Sequence, residues 1–285
     1  MKLIEQTVAA YSNLLASDFP TPGGGSTAAL NGVLGCSFIT MIARISLAKP
    51  AFAERKMLLQ HIIEHAEMYR NVLLALVDED TEAYNGIMAA RSLRNVNGPA
   101  MMVHTTADSA KRNVTRPVEA ATSSIPNVTK ITGNSTIAIT DGTDKTDAAS
   151  AVQHTMPKGA DTPQVSAFDP VEALRSALHT AVDVPFQIQQ TALAALDLAR
   201  SLSEGYYEGT ASDLALAALN LETAVRGAFL TVRSNLNHLA AIASIDAEYI
   251  QHKTRESASL LERAEHLVRN VYAGAKALLS MGKNI

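Results

Sequence analysis

The chain has 285 residues, 47% of them hydrophobic and 18% charged, with 24 Lys+Arg against 28 Asp+Glu and a formal net charge of −4. That length suffices for a buried core, the balance excludes a wholly disordered chain, and the slight acidity excludes a general basic field for nucleic-acid phosphates. A single cysteine, Cys36, excludes an intramolecular disulfide framework and a multi-thiolate metal site, and 5% aromatics without Trp leaves no platform for stacked bases.

Ile4, Val8, Tyr11 and Leu15 recur at helical spacing and predict a short helix from Leu3 to Ala16. Met1 to Ala10 lacks the basic start and apolar run of a secretory signal, so the expected location is cytoplasmic. Two prolines and three glycines between Ser17 and Ser26 forbid regular structure there. Ser26 is the expected cap of a helix from Thr27 to about Ala48. That segment is apolar, but Asn31, Thr40 and Arg44 and its many small residues mark a buried core helix rather than a membrane span. Lys49-Pro50 ends it, and a long periodic stretch runs from Phe52 to about Leu93.

The composition then changes. From His104 to Ser166, 18 of 63 residues are Ser or Thr and none is Leu, so the run from about 95 to 168 is read as a polar insertion without a core of its own. Val128 to Thr140, with Gly133-Asn134 at its middle, fits a β-hairpin or a flexible loop. Helical pattern resumes at Asp169-Pro170, a cap and first-turn pair, and runs to about Ser203 across Pro185, where a kink is expected. Gly205 to Thr210 is a loop. Helices from Ala211 to Leu239 and from Ala247 to Leu279 complete the chain. The expected fold is all-α: one domain over residues 1–285, a bundle of long helices interrupted by the insertion at about 95–168.

Several constellations bear on chemistry. Gly23-Gly24-Gly25-Ser26 opens directly into a helix, where free N–H groups receive anions. No Lys follows for a Walker loop and no strand precedes for a dinucleotide fold. A tight turn that lets helices approach closely explains the same residues. His61-Ile62-Ile63-Glu64-His65 has the spacing of a zinc helix, but no third ligand is indicated, and no metal is expected. Asp80 and Tyr84 lie one turn apart within an acidic stretch. They suit either proton transfer or a solvated surface.

The helix after Ser212 carries Asp213, Asn220, Thr231 and Asn235 on one side. At about 100° per residue they fall within roughly 60° of one another, with Glu222, Arg226 and Arg233 opposite. About 33 Å separates the ends of this stripe, so one small ligand cannot touch all four.

Taken in order, these stretches resemble the formiminotransferase-cyclodeaminase C-terminal domain family, which includes free-standing methenyltetrahydrofolate cyclohydrolases. The resemblance rests on Pro22-Gly23-Gly24-Gly25-Ser26 before a small-residue helix, on Asp80 and Tyr84 of an Asp-x-x-Ala-aromatic motif, and on Val184-Pro185 within a helix. It rests further on Ser212-Asp213, Ala224 to Ala228 and Val232-Arg233-Ser234-Asn235-Leu236. It covers roughly residues 1–93 and 169–280. Thr231 stands where the family motif has Asn. The resemblance implies an all-α homodimer in tetrahydrofolate one-carbon chemistry, with no cofactor beyond the folate substrate, no nucleic acid and no membrane. It implies Asp80 and Tyr84 as catalytic residues. It also implies Gly23, Gly24, Gly25, Ser26, Asp213, Arg233 and Asn235 as substrate-binding residues. Two reactions stay open, hydrolysis of 5,10-methenyltetrahydrofolate and cyclodeamination of 5-formiminotetrahydrofolate. A catalytically inactive helical homodimer acting as a binding or interaction module is the alternative, motivated by Thr231 and the insertion. For the insertion, a lid over the substrate and a surface appendage are both open. Gly32, Gly35 and Ser37, with the polar stripe, are read as surfaces for close packing between subunits.

Overall fold

Helices account for nearly all of what the described residues build. In a computed structural model, residues 2–97 and 169–281 are described, and they hold six α-helices and no strand. These are α1 (Val8–Leu15), α2 (Gly24–Leu47), α3 (Lys56–Asn97), α4 (Pro170–Ser203), α5 (Ala211–Ala240) and α6 (Ala247–Met281). The expected hairpin and the insertion from residue 98 onward lie outside the described residues, and residues 95–97, assigned to the insertion, belong to α3.

The first helix is shorter than its apolar spacing suggests. Leu3–Glu5 forms a 3₁₀ turn, and the chain restarts at Thr7, whose Oγ1 accepts the Ala10 N–H at 3.1 Å as a helix cap. The amide of Leu3 donates to Asp78 on α3 at 2.6 Å, which ties this arm to the bundle.

Small residues decide how the centre is packed. Helix α2 lies against both α3 and α5. A Cβ on Gly32 would sit 2.9 Å from Leu73 Cδ1, and one on Gly35 would sit 2.5 Å from Leu221 Cγ. On the facing helix, a Cβ on Gly227 would sit 2.9 Å from that of Ala28. Each absent side chain lets a neighbour into the space it would fill, so the backbones approach closely. Gly32 and Gly35 therefore serve packing within the chain, not between subunits as their pattern suggested. Ile39, Ile42, Leu59, Ile62, Leu73, Leu76, Leu196 and Leu221 fill the core between these helices, all fully buried. Cys36 is among them, and burial pushes its thiol up to about 12.

By length and composition α2 and Glu208–Ala240 would pass as membrane spans. However, 56% and 44% of their most apolar windows are buried inside the bundle. Helix α4 begins as its sequence implies, with Asp169 accepting the Val171 N–H at 2.8 Å and Pro170 in the first turn. It continues through Pro185 to Ser203. A buried polar pair pins α6 to it: Gln189 donates to the Ser257 carbonyl at 2.8 Å, and the Ser257 hydroxyl donates to Gln189 Oε1 at 2.6 Å.

Candidate active site

Helix α2 starts three residues earlier than its cap residue suggests. Gly23 is the N-cap, with no side chain to satisfy the first-turn amides, and Ser26 lies buried inside the first turn. The missing acceptor comes from another helix. Asp80 of α3 presents Oδ2 to the Ser26 N–H at 2.8 Å and to the Ser26 hydroxyl at 3.0 Å. A carboxylate at a helix N-terminus is favoured by the exposed amides and the helix dipole. The anion that this helix start receives is therefore the protein's own.

That contact also explains the third glycine. A Cβ on Gly25 would lie 1.9 Å from Asp80 Oδ1, so only glycine admits the carboxylate there. Burial pushes the Asp80 carboxyl above its ordinary value, and the two bonds from Ser26 pull it back in part. Tyr11 packs nearby, with its hydroxyl 3.3 Å from Thr27 Oγ1. Burial raises its phenol, and the charge of Asp80 adds to this.

Beside Asp80 opens a cavity of about 140 Å³. Pro20, Thr21 and Gly23 to Gly25 form one rim, Asp80, Ala83, Tyr84 and Ile87 of α3 a wall, and Ala181, Thr231 and Asn235 the far side. No Lys, Arg or His lines it. It is a cleft with one carboxylate, one phenol, two threonine hydroxyls, an amide and an apolar floor. Such a surface suits a flat, cationic or N–H-rich ligand. The phenol of Tyr84 makes no hydrogen bond to another described residue.

The structure brings together six of the nine residues singled out as catalytic or substrate-binding around this cavity, namely Gly23, Gly24, Gly25, Asp80, Tyr84 and Asn235. Ser26 stands behind Asp80 as its hydrogen-bond donor. Asp213 and Arg233 do not join them. Asp213 lies in the first turn of α5, at the end remote from the cavity, and Arg233 is exposed, its guanidinium 5.9 Å from the Phe229 ring. Asn220, on the same stripe, donates to its own helix at the Leu216 carbonyl. Glu222 and Arg226 pair at 2.7 Å, as their i, i+4 spacing implies, and Arg226 also reaches Glu265 of α6 at 2.9 Å. His61 and His65 stack 3.9 Å apart on α3, and no group of three or more His, Cys, Asp or Glu suited to a metal occurs among the described residues.

Sequence reasoning missed the lining contributed by Pro20, Thr21, Ala83, Ile87 and Ala181, since residues of these kinds carry no chemical signature. It also missed a buried carboxylate away from the cavity. Asp246, in the turn between α5 and α6, accepts Arg175 Nε at 2.8 Å and Nη2 at 2.7 Å from α4, with His179 Nε2 3.1 Å away. Hydrogen bonding to Arg175 holds its carboxyl below the ordinary range, against the cost of burial, and His179 adds to this.

Fold and cavity together define a helical-bundle protein with a single carboxylate poised over a compact polar cleft. The family profile described as Formiminotransferase-cyclodeaminase matches residues 7–128 and 100–259, and the chain belongs to that family. It is 23% identical over 272 residues to a methenyltetrahydrofolate cyclohydrolase of Methylorubrum extorquens, across 95% of this chain and 97% of the relative. A formimidoyltransferase-cyclodeaminase of Gallus gallus is 28% identical over 91 residues, 32% of this chain and 17% of the relative. In fold, the chain is similar to the crystal structure of a formiminotetrahydrofolate cyclodeaminase from Thermotoga maritima, with a TM-score of 0.61 at 17% identity and 98% coverage of both chains.

Proposed function

We propose that this chain hydrolyses 5,10-methenyltetrahydrofolate to the 10-formyl derivative or cyclodeaminates 5-formiminotetrahydrofolate, with Asp80 as the proton-transfer residue. The observation that carries this reading is Asp80 itself. It is a carboxyl raised by burial, held by two donors from Ser26, at the wall of a cleft with no competing cation. A raised carboxyl lies nearer the working pH, where a group can both take and give a proton.

The chemistry follows from the charge of the substrate. The methenyl bridge is a cationic amidinium carbon, and Asp80 balances that charge. As water adds, Asp80 takes the water proton; as the carbon–nitrogen bond opens, it returns that proton to the departing ring nitrogen, and the hydroxyl of the adduct gives its own proton to solvent as the formyl group forms. In cyclodeamination the N10 amine, outside the ring, attacks the formimino carbon carried on N5 and gives its proton to Asp80, and the same carboxyl passes that proton to the departing ammonia. Ala83 and Ile87 offer the apolar floor for a pterin, and Tyr84 stands one turn from Asp80. The relative from M. extorquens, matched over nearly its whole length, supports the hydrolytic direction.

A homodimer is part of the proposal. Leu34 and Met41 on α2, and Leu216, Leu219 and Leu230 on α5, leave large apolar side chains exposed between 37% and 67%. Two neighbouring helices with such faces suit a second copy. A cytoplasmic location is likewise part of the proposal.

The test is to follow loss of each folate by absorbance with wild type and Asp80→Asn. Asp80→Asn should lose on the order of 10²-fold or more of the rate while keeping its fold. Equal rates would overturn the role of Asp80. A second reading, a folate binder without catalysis, is favoured by Thr231, whose hydroxyl donates to the Gly227 carbonyl of its own helix at 3.1 Å. Folates that raise the melting temperature without being turned over would establish it.

A further inference from the structure

Two motifs far apart in sequence meet at one backbone atom. Pro185 sits inside α4, where a residue's N–H ordinarily binds the carbonyl four positions earlier. Proline has no N–H, so the carbonyl of Ala181 lacks its partner within the helix. Ala181 is 4% exposed, and a buried carbonyl without a donor is costly. The donor comes from α5: Asn235 Nδ2 bonds the Ala181 oxygen at 2.5 Å, 54 residues away in the chain.

That bond also fixes which way the Asn235 amide points. A carbonyl only accepts, so the NH₂ must face Ala181. Oδ1 is then turned away, and it makes no hydrogen bond to any described residue. Ala181 and Asn235 both line the cavity, with Asp80 across from them. The cleft thus presents two acceptors on different helices. One is a carboxylate, and the other is an amide oxygen whose sense is set by a missing N–H.

We propose that Pro185 is a positioning residue: by freeing the Ala181 carbonyl it clasps Asn235 so that Oδ1 faces the cavity as a fixed acceptor for an N–H donor of the ligand. This rests on the folate reading and deepens it, because it assigns to Asn235 the recognition of an amino or ring N–H group rather than of a carbonyl. A free Asn amide rotates and serves either kind of partner; a clasped one selects donors.

Pro185→Ala tests this. The new N–H bonds Ala181, the clasp opens, and Asn235 rotates freely. The variant should melt no lower than wild type, since an interior proline is replaced by a good helix former. Its kcat/KM for the folate substrate should fall roughly tenfold, carried in KM, as expected when one hydrogen bond worth about 1.4 kcal/mol is lost from bound substrate. Asn235→Ala should show a similar loss, and the double variant should be no worse than Asn235→Ala alone. A merely structural role for Pro185 would instead lower the melting temperature and kcat at constant KM. Asn235→Asp leaves the proline in place and sets a carboxylate against the Ala181 carbonyl, so it should lose the clasp as well.

A second measurement needs no turnover. The side-chain amide protons of Asn235, assigned by their loss in Asn235→Ala, should exchange slowly with solvent in wild type and quickly in Pro185→Ala. Equal exchange in the two proteins overturns the clasp, whether or not either folate is consumed. Fast exchange in Pro185→Ala with unchanged KM overturns the acceptor role. A wild type that turns over neither folate overturns the proposed reaction, and the exchange measurement still decides the clasp.

Discussion

Among the described residues, Asp246 is drawn out of water fully and Asp80 in part, and their surroundings push the two carboxylates in opposite directions. Asp246 meets a guanidinium face to face, with an imidazole beside it, and its carboxyl is held low. Asp80 meets only a hydroxyl and a backbone N–H, and its carboxyl is pushed up. The first arrangement fixes a charge so that it can hold α4 to the turn between α5 and α6. The second leaves a charge underpaid beside a cleft, where a ligand can complete it. Burial alone does not distinguish a structural carboxylate from a chemical one; the charge of the partner does.

The largest effect expected from breaking this contrast comes from Gly25→Ala. A methyl group there collides with the Asp80 carboxylate, so either α2 or Asp80 must shift. Activity should fall on the order of 10²-fold, as a displacement of about 1 Å does at a reacting group, while circular dichroism stays helical. Wild-type rates would show that the carboxylate need not sit where it does.

Asp246→Asn should do the reverse, lowering the melting temperature by several degrees while the rate per folded molecule stays near wild type. The sign of its pH dependence follows from the lowered carboxyl. Asp246 contributes stability above its ordinary value, and that contribution is lost as pH falls through its depressed value. The gap in melting temperature between wild type and Asp246→Asn should therefore close on the acid side. A gap constant down to acid pH would deny that the charge does the holding.

Ser26→Ala sharpens the comparison from the other side. It removes one of the two donors to Asp80 and leaves the backbone N–H. The Asp80 carboxyl should rise further, moving the acid limb of the rate profile upward by up to about one pH unit. An unmoved limb would assign that limb to another group.

The smallest effect concerns stability. A raised carboxyl costs stability as pH rises through the interval from its ordinary to its raised value, and costs nothing below it. Asp80→Asn escapes that cost while keeping an oxygen for Ser26. It should be as stable as wild type in acid and slightly more stable at neutral pH, as thermal melts at the two pH values would show. A variant less stable at neutral pH than in acid, relative to wild type, would contradict the raised carboxyl.

Helix content was legible from apolar spacing, since most of the long helices begin and end close to the expected punctuation. Asp169-Pro170 behaves as its residue types dictate. The exceptions have local causes. Ser26 reads as a cap, yet a cap can come from a distant carboxylate, and no pattern within ten residues of Ser26 reveals Asp80. The stripe on α5 was correctly periodic, but a helix 30 residues long passes more than one environment, so Thr231 and Asn235 reach the cavity while Asp213 and Asn220 do not. The small residues of α2 were visible as small, and what fills the space beside them was not. Leu73 and Leu221 became their partners only when the helices met.

The burial of Cys36 has a practical corollary for spectroscopy. Its thiol is enclosed in the core and pushed up to about 12, so alkylating dyes near neutral pH find almost no thiolate there. The chain also has no Trp. A cysteine or tryptophan introduced on an exposed face then reports alone, with neither a competing label nor a native indole, and the protein needs no background mutations before fluorescence or spin labels are attached.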